Sequence, residues 1–197
     1  DAPDLATDLD KDVTAVIESF REHTFYVSTG AKLLIVAKGS KHLNEIATHQ
    51  KMKKFLRTRP NLKLFDISSA FEPRIDGVVV KREYFLKGLQ GLTDRDEAII
   101  IHIDILSEGI DVPGITGIMP MNSMGLSKFL QTEGRAARLH PMDREDLYSG
   151  TKKWNDLDEF VKPYAWVLIP IYGEIGLDLK ERIEDTIYAL RDHGFVA

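Results

Sequence analysis

Continuous apolar runs constrain the fold of this chain more than any other feature. Residues 98–103 read Ala-Ile-Ile-Ile-His-Ile, and residues 32–37 read Lys-Leu-Leu-Ile-Val-Ala. Runs rich in β-branched residues are typical of strands that are buried on both faces, as in a parallel sheet. Helix-forming segments separate such strands along this chain. The pattern therefore predicts an α/β fold of three layers, with a mostly parallel central sheet flanked by helices.

Spacing of the apolar residues predicts where the other elements lie. An amphipathic helix is expected to begin near residue 7 or 8, because apolar residues recur at helical intervals at positions Leu9, Val13, Val16, Ile17 and Phe20. The remaining expected elements are a helix over 41–56, a strand over 62–67, an irregular segment over 71–80, a short helix over 82–92, a strand over 115–119, a helix over 125–139, a strand over 164–171 and a closing helix ending at residue 194.

The length of the chain predicts a single domain. With 197 residues, 43% of them hydrophobic, the chain can bury the core of one sizeable α/β domain. We expect that domain, over residues 1–197, to consist of a leading helix (1–29), a motif-bearing core (30–140), a polar excursion (141–163) and a final strand and helix (164–197). Because the sequence begins with Asp1 and not with methionine, we also expect it to be a fragment of a longer protein.

Composition excludes several classes of protein. A formal net charge of −5 argues against a generally basic coat for nucleic acid, but it leaves room for a local groove that binds the backbone. The chain has no cysteine, so it has no disulfide framework and no thiolate metal site. No stretch approaches the ~18 apolar residues of a membrane span, and the N-terminus lacks a signal-peptide pattern. We expect a cytoplasmic protein with no membrane partner.

Two arginines occur in a pattern that suits a polyphosphate. Residues 131–138 read Gln-Thr-Glu-Gly-Arg-Ala-Ala-Arg, and on a helix Gln131, Gly134, Arg135 and Arg138 fall within one stripe. The planar guanidinium group suits phosphate oxygens, and a glycine beside it lets a ligand approach closely. The octapeptide alone is equally compatible with the solvated face of an ordinary amphipathic helix.

A second candidate segment follows the apolar run at 98–103. Residues 106–113 read Leu-Ser-Glu-Gly-Ile-Asp-Val-Pro, and ligands of open α/β sheets bind at the carboxyl ends of such strands. Gly109 would let the backbone pass close to a ligand, and the Asp111 carboxylate could accept hydrogen bonds from ribose hydroxyls. Taken alone, the same residues also fit a turn with a capping aspartate.

Together, residues 106–113 and 131–138 resemble motifs V and VI of superfamily-two helicases and translocases. The resemblance is to the second, C-terminal RecA-like domain of these proteins, and the wording of the motifs is most similar to that of restriction-enzyme motor subunits and related phage or repair DNA helicases. It covers roughly residues 30–140 and implies a RecA-like domain.

The resemblance implies nucleotide contacts on specific residues. In the family, motif VI arginines reach the γ-phosphate of ATP, which is held with Mg²⁺ mainly by the first RecA-like domain. Arg135 and Arg138 would then act as catalytic arginine fingers, while the nucleotide contacts implied by the resemblance fall on Gly109, Asp111, Gln131 and Gly134. A trans-acting arginine in GTPases is worth ~10³–10⁵ in rate.

Nucleic-acid contacts are implied at four positions. Ser107 matches the motif V residue that contacts the nucleic-acid backbone. The strand-turn-helix at residues 32–46 resembles motif IV, which puts Lys38 and Ser40 on the nucleic-acid side; a surface lysine and a helix N-cap are the alternatives. The hydroxyl of Ser68, at the end of the predicted second strand, could contact a phosphate or form part of a turn.

Half of an ATP site is missing from the sequence. No phosphate-binding loop of the Gly-x-x-x-x-Gly-Lys-Ser/Thr type occurs, and no acidic box follows a strand to hold Mg²⁺. A first RecA-like domain, from the same polypeptide, is therefore the expected partner, together with DNA, although RNA stays open. The isolated chain is expected to lack ATPase activity. The alternatives are a non-catalytic helicase-like module for nucleic-acid binding or scaffolding, and an unrelated nucleotide-binding α/β domain.

Other polar residues are given structural roles. We expect His102 to be a core residue and His140 to interact with the C-terminal dipole of the arginine-bearing helix. The three acids Asp94, Asp96 and Glu97 are interpreted as a solvated turn.

Overall fold

A computed structural model describes residues 8–103, 112–122, 131–132, 134, 137–170, 180–181, 184–185 and 188. The strands are β1 (Lys32–Val36), β2 (Leu62–Ser68), β3 (Phe71–Ile75), β4 (Val78–Val79), β5 (Glu97–His102), β6 (Gly117–Pro120) and β7 (Trp166–Val167). Within these residues the helices are α1 (Asp8–His23), α2 (Ser40–Thr48), α3 (Gln50–Thr58), α4 (Arg82–Gln90) and α5 (Pro141–Ser149), with a short 3₁₀ turn at Leu157–Glu159.

These strands form one sheet in the order β4-β3-β2-β5-β1-β6-β7. The strands from β2 to β7 in this order pair in parallel, and the short hairpin β3–β4 adds two antiparallel strands at one edge. The carboxyl ends of β1, β2 and β5 therefore lie at the same edge, where Val36 pairs with His102 and Ile67 pairs with the same histidine. The predicted mostly parallel α/β fold is confirmed.

Two apolar layers explain why the central strands read as continuous apolar runs. Leu33 and Ile35 of β1 pack into a cluster with α1, α2 and α3, whereas Leu34 points to the opposite face. On β5, Ile99 and Ile101 join the first cluster and Ile100 joins the second, which contains α4. Because successive side chains of a strand point to opposite faces, a strand covered on both sides must be apolar at every position.

The sequence predicts an irregular segment over residues 71–80, but the structure has the β3–β4 hairpin there. Asp76 has a φ of 53° and Gly77 a φ of 79°, the left-handed backbone that a tight two-residue hairpin turn requires. The Asp-Gly pair is the sequence signal for such a turn, and it was available at positions 76 and 77. The prediction failed because the short flanking strands lack a strong apolar alternation.

The predicted helix over residues 41–56 is two helices, α2 and α3, separated at His49. His49 adopts an extended backbone with a φ of −61° and a ψ of 143°. Its ring Nδ1 accepts a hydrogen bond from the backbone N–H of Lys51 at 3.2 Å, so the side chain caps the start of α3. Apolar periodicity alone does not reveal this break, since Ile46 and Met52 on either side of it are both buried.

A buried carboxylate joins the two ends of the segment over residues 141–163. Asp143 of α5 is fully buried and accepts hydrogen bonds from the backbone N–H groups of Val161 at 2.7 Å and Lys162 at 2.9 Å. Phe160 is buried, whereas the Trp154 ring is 66% exposed and contacts the Phe160 ring with centroids 6.5 Å apart. This polar segment therefore has specific contacts between its own two ends.

The C-terminal part of the chain adds the last strand. β7 pairs in parallel with β6, through Gly117 and Trp166, and Pro170 lies just beyond it. Residues 180, 181, 184, 185 and 188 are helical, and the apolar positions of the predicted closing helix lie outside the described residues. Among the helices of the described residues, none combines the length and apolar character needed to cross a membrane.

Candidate functional site

Only part of the predicted site falls on described residues. The predicted positions that lie outside them are Ser107, Gly109, Asp111 and Arg135. The predicted positions that the structure describes are Lys38, Ser40, Ser68, Gln131, Gly134 and Arg138. Three residues of the first group lie in the segment 106–113. The second group lies in two regions of the chain, residues 38–68 and residues 131–138.

The arginine-bearing segment is helical at Gln131, Thr132 and Gly134 and is no longer helical at Ala137 and Arg138. The helix predicted to run to residue 139 therefore ends earlier, and Arg138 lies in a bend. Thr132 is buried, whereas Gln131, Gly134 and Arg138 are exposed. The glycine has open space where a Cβ would stand, so its position does not require glycine for packing.

Arg138 contributes to the wall of a cavity of about 450 Å³. Val112, the residue that follows Asp111 in the chain, contributes to the same wall. The lining residues are Val112, Pro113, Gly114, Ile115, Arg138, Leu139, Pro141, Arg144 and Lys162. The structure thus brings Arg138 together with Val112, the residue after Asp111, across 26 residues of sequence.

The backbone of Arg138 is held by Lys162, a residue that sequence reasoning missed. The Lys162 ammonium donates hydrogen bonds to the carbonyl oxygen of Arg138 and, at 3.0 Å, to that of Ile115. Burial lowers the pKa of Lys162 to about 8, and the nearby Asp143 carboxylate opposes this shift. No local sequence signal marks Lys162, because its role depends on segments that are distant in the chain.

His140 fixes the same segment from a second side. Its Nε2 lies 2.7 Å from Oδ1 of Asp94, in the loop before β5, and its Nδ1 accepts a hydrogen bond from the backbone N–H of Met142 at 3.3 Å. Because Nδ1 accepts, Nε2 carries the proton that is donated to Asp94. His140 is also the N-cap of α5. Its predicted interaction with the C-terminal dipole of the preceding helix stays a prediction, because residues 135 and 136 lie outside the described residues.

The predicted acidic turn is present at residues 94–95, where Asp94 is exposed, and the acids at residues 94–97 are also partnered. Asp94 binds His140. Asp96 accepts hydrogen bonds from the backbone N–H and the hydroxyl of Thr93, both at 2.7 Å, and these bonds lower its pKa. Glu97 receives two hydrogen bonds of 3.1 Å from Arg59. Each carboxylate therefore fastens the loop that leads into β5.

Lys38 lies at the carboxyl end of β1, as predicted, and its side chain is paired. Its ammonium lies 2.6 Å from Oδ2 of Asp12, and Nε2 of His42 lies 2.7 Å from the same oxygen. Since Nδ1 of His42 accepts the backbone N–H of Lys38 at 3.2 Å, Nε2 bears the proton donated to Asp12. Burial raises the pKa of Asp12, but the hydrogen bonds from His42 and Lys38 outweigh it and the pKa is lowered.

The two predicted serines have local structural positions. Ser40 is the first residue of α2, and Gly39 stands at the N-cap without a side-chain hydrogen bond, so the alternative of an N-cap serine is wrong. Ser68 is buried, and its Oγ accepts a hydrogen bond from the backbone N–H of Ala70 at 3.1 Å. This serine therefore forms part of a turn, the second of its two predicted roles. His102 is buried at the carboxyl end of β5, as expected for a core residue.

Metal ligands do not cluster in the part of the chain that the structure describes. No group of three or more histidine, aspartate or glutamate side chains there could hold a metal ion. The histidines bind other partners, such as Asp12 for His42 and Thr116 for His23.

Comparison with known proteins yields similarity in structure alone. No protein-family model and no curated protein sequence matches the chain. The solved structures that match include the ATP-dependent Type ISP restriction-modification enzyme LlaBIII bound to DNA, with a TM-score of 0.54 and 14% identity over 92% of this chain. The chain spans 12% of the length of that enzyme.

A second match is a variant of the C-terminal domain of Dbp5 from S. cerevisiae, bound to a Gle1 variant and IP6. It has a TM-score of 0.51 and 12% identity, and the match covers 93% of this chain and 81% of that domain. Identities this low show a common fold. The seven-stranded, mostly parallel sheet and its flanking helices therefore form a RecA-like α/β domain, similar in fold to the C-terminal domain of Dbp5.

Proposed function

We propose that this chain is the C-terminal motor domain of an ATP-dependent DNA helicase or translocase, which contributes arginine side chains to ATP hydrolysis and backbone contacts to nucleic acid. The observation that carries the proposal is the position of Arg138, which is exposed and lines a cavity of about 450 Å³ together with Val112. Val112 directly follows Asp111 in the sequence, which supports the proposal that the arginine and the carboxylate of the two motifs act at one site.

In this proposal the chain supplies one wall of an ATP site. Arg138 and Arg135 neutralise the charge that develops on the γ-phosphoryl group, and Asp111 accepts hydrogen bonds from the ribose hydroxyls. Gly109, Gln131 and Gly134 complete the nucleotide edge. Arginine suits this role because its planar fork of donors matches phosphate oxygens. A guanidinium that is already positioned stabilises the developing charge without reorganisation during the reaction.

The other wall is proposed to come from a first RecA-like domain of the same polypeptide. That domain would hold the nucleotide phosphates and Mg²⁺ and would close on this chain when ATP binds. Domain closure and reopening would then move the protein along its track. The isolated chain, lacking a phosphate-binding loop, should not hydrolyse ATP at a measurable rate.

DNA is the nucleic acid along which the protein is proposed to move, and its backbone is proposed to bind at the carboxyl edge of the sheet. Lys38 and Ser40 follow β1 at this edge, and Ser107 would join them from motif V. Ser68 ends β2 at the same edge, but it is buried and hydrogen-bonded in a turn and contributes no contact in this proposal. The Lys38 side chain is 42% exposed beside Asp12, so it can reach a phosphate while paired. The restriction-type wording of the motifs and the fold likeness to a restriction-modification enzyme favour DNA over RNA and a restriction system as the setting.

The test is Arg138→Ala in the complete native protein, assayed for ATP turnover and for DNA binding. We expect kcat to fall by about 10³-fold or more while DNA binding is retained, because a trans-acting arginine is worth ~10³–10⁵ in rate. Arg57→Ala, which removes an exposed arginine of α3, is the matched control and should leave turnover unchanged.

The alternative function, a non-catalytic helicase-like binding or scaffold module, makes the opposite prediction. In that case the complete protein has no ATP turnover that depends on Arg138, and both variants bind nucleic acid like the unmodified protein. The same binding assay with RNA in place of DNA identifies the track.

A further inference from the structure

Three segments of the chain converge on one buried ammonium group. Lys162 lies between α5 and β7, and only 8% of the residue is exposed. Its Nζ donates to the carbonyl oxygen of Ile115, which precedes β6, and to the carbonyl oxygen of Arg138. The two acceptors are 47 and 24 residues away from Lys162 in the sequence. The ammonium therefore joins the segment after motif V to the end of motif VI.

Lysine is suited to this position by its chemistry. An ammonium has three donors and no acceptor, so it can bridge two carbonyl oxygens, each of which carries partial negative charge. A side chain that only filled space would be apolar, because burial of a charged group is unfavourable. Burial lowers the pKa of Lys162 to about 8, so the fold retains the ammonium at neutral pH against this tendency.

The lysine is itself fixed before it reaches the two carbonyls. Its backbone N–H donates to Oδ2 of Asp143 at 2.9 Å, and Oδ1 of the same carboxylate accepts the backbone N–H of Val161 and the ammonium of Lys152. Asp143 is fully buried in α5. On the other side, His140 binds Asp94, so the chain around residues 138–140 is held at two points. The side chain of Arg138 therefore extends from a backbone that is held in place.

We propose that Lys162 is a positioning residue that fixes the backbone of Arg138 against the segment at residues 112–115 and so sets the direction in which the arginine side chain enters the cavity. This inference rests on the proposed function, since it assigns Lys162 a role through Arg138. It extends the working part of the domain beyond residues 30–140, where the resemblance to the helicase motifs lies. The polar segment at residues 141–163 becomes part of the support for the arginine.

The test compares Lys162→Met with Lys153→Met in the complete native protein. Lys153 is an exposed lysine nine residues before Lys162, so its replacement controls for the loss of a lysine side chain. For Lys162→Met we expect kcat for ATP to fall at least about 10-fold, since a small misplacement of a catalytic group can cost about 10²-fold. Amide hydrogen exchange of the peptide covering residues 137–140 should rise. Lys153→Met should change neither quantity by more than about twofold.

Restoring the ammonium separates positioning from loss of the fold. The chain has no cysteine, so Lys162→Cys followed by 2-bromoethylamine introduces one thioether analogue of lysine within it, and treated unmodified protein controls for cysteines elsewhere. We expect this treatment to recover most of the turnover and the slow exchange at residues 137–140. Failure of the modified, folded protein to recover either would overturn the proposal.

A double variant distinguishes failure of this inference from failure of the proposed function. If Lys162 acts through Arg138, the loss in Arg138→Ala/Lys162→Met should equal the loss in Arg138→Ala alone. The positioning role would be refuted if the losses of turnover in the two single variants multiplied in the double variant. It would also be refuted if Lys162→Met had normal turnover and exchange while Arg138→Ala was defective. Normal turnover in Arg138→Ala would instead refute the proposed function, and the exchange data would still report whether Lys162 holds residue 138.

Discussion

Lys38 and Arg138 show two different ways of holding a cation in the same fold. At Lys38 the charged group itself is held, because its ammonium lies 2.6 Å from the buried Asp12 carboxylate. At Arg138 the backbone carbonyl is held by Lys162, while the residue is exposed at a cavity wall. The first arrangement holds the charged group, and the second holds the backbone that carries the charged group. In the proposed function, a fixed backbone prepares the arginine for charge that appears only during a reaction.

The buried carboxylates behind the two cations differ in the same way. Asp12 accepts hydrogen bonds from two side chains, those of Lys38 and His42. Asp143 accepts from the backbone N–H groups of Val161 and Lys162 as well as from the Lys152 side chain. If the Asp12 carboxylate is removed, its side-chain partners can turn toward water. If the Asp143 carboxylate is removed, the backbone N–H groups of the packed segment cannot do so. The Arg138 region should therefore depend more strongly on its acid.

The largest effect that tests this comparison is expected from Asp143→Ala. We expect the free energy of unfolding to fall by about 4 kcal/mol, since each buried group left without a partner costs about 1–3 kcal/mol. Asp12→Ala should cost about 2 kcal/mol, because the half-exposed Lys38 regains water. Urea denaturation measures both values, with Asp146→Ala as a more exposed control on α5. Equal losses for the two buried aspartates would break the comparison.

A smaller effect is expected from alkaline pH and concerns Lys162. Its pKa is about 8 in the folded chain and 10.5 as an ordinary lysine, so between these values the unfolded state binds more protons. The unfolding free energy should therefore gain up to about 3 kcal/mol from this group as the pH rises from 8 to 10.5. The measurement is the pH dependence of unmodified protein minus that of Lys162→Met. A difference that does not change over this range would contradict the burial of a charged lysine.

The smallest effect is expected at Lys38. Lys38→Met should lower the free energy of unfolding by less than about 1 kcal/mol, because the exposed half of the lysine weakens its ion pair with Asp12. If Lys38 contacts a DNA phosphate, affinity should fall for all sequences alike, and the slope of log affinity against log salt should decrease by about 1. Lys41→Met, at the 89% exposed Lys41 side chain of α2, is the control. An unchanged slope would remove Lys38 from the proposed nucleic-acid edge.

The fold was predictable where local sequence and tertiary environment agree. The run at residues 98–103 and the spacing of Val13, Ile17 and Phe20 report burial directly, and the structure has β5 and α1 there. Prediction failed where one residue decides the local geometry. His49 divides α2 from α3 by capping the second helix, and the turn at Gly77 creates the β3–β4 hairpin.

The sequence by itself determined the alternation of strands and helices and the residues of the two motifs, because hydrophobic periodicity and motif residues are local properties of the chain. Only the tertiary structure decided that Lys162, His140 and Asp143 support the end of the arginine segment. Their partners lie between 18 and 47 residues away, apart from the local cap at Met142 and the ion pair to Lys152. Nothing in the spacing of a lysine predicts which distant carbonyl oxygens it will meet, since packing of the whole sheet sets that meeting.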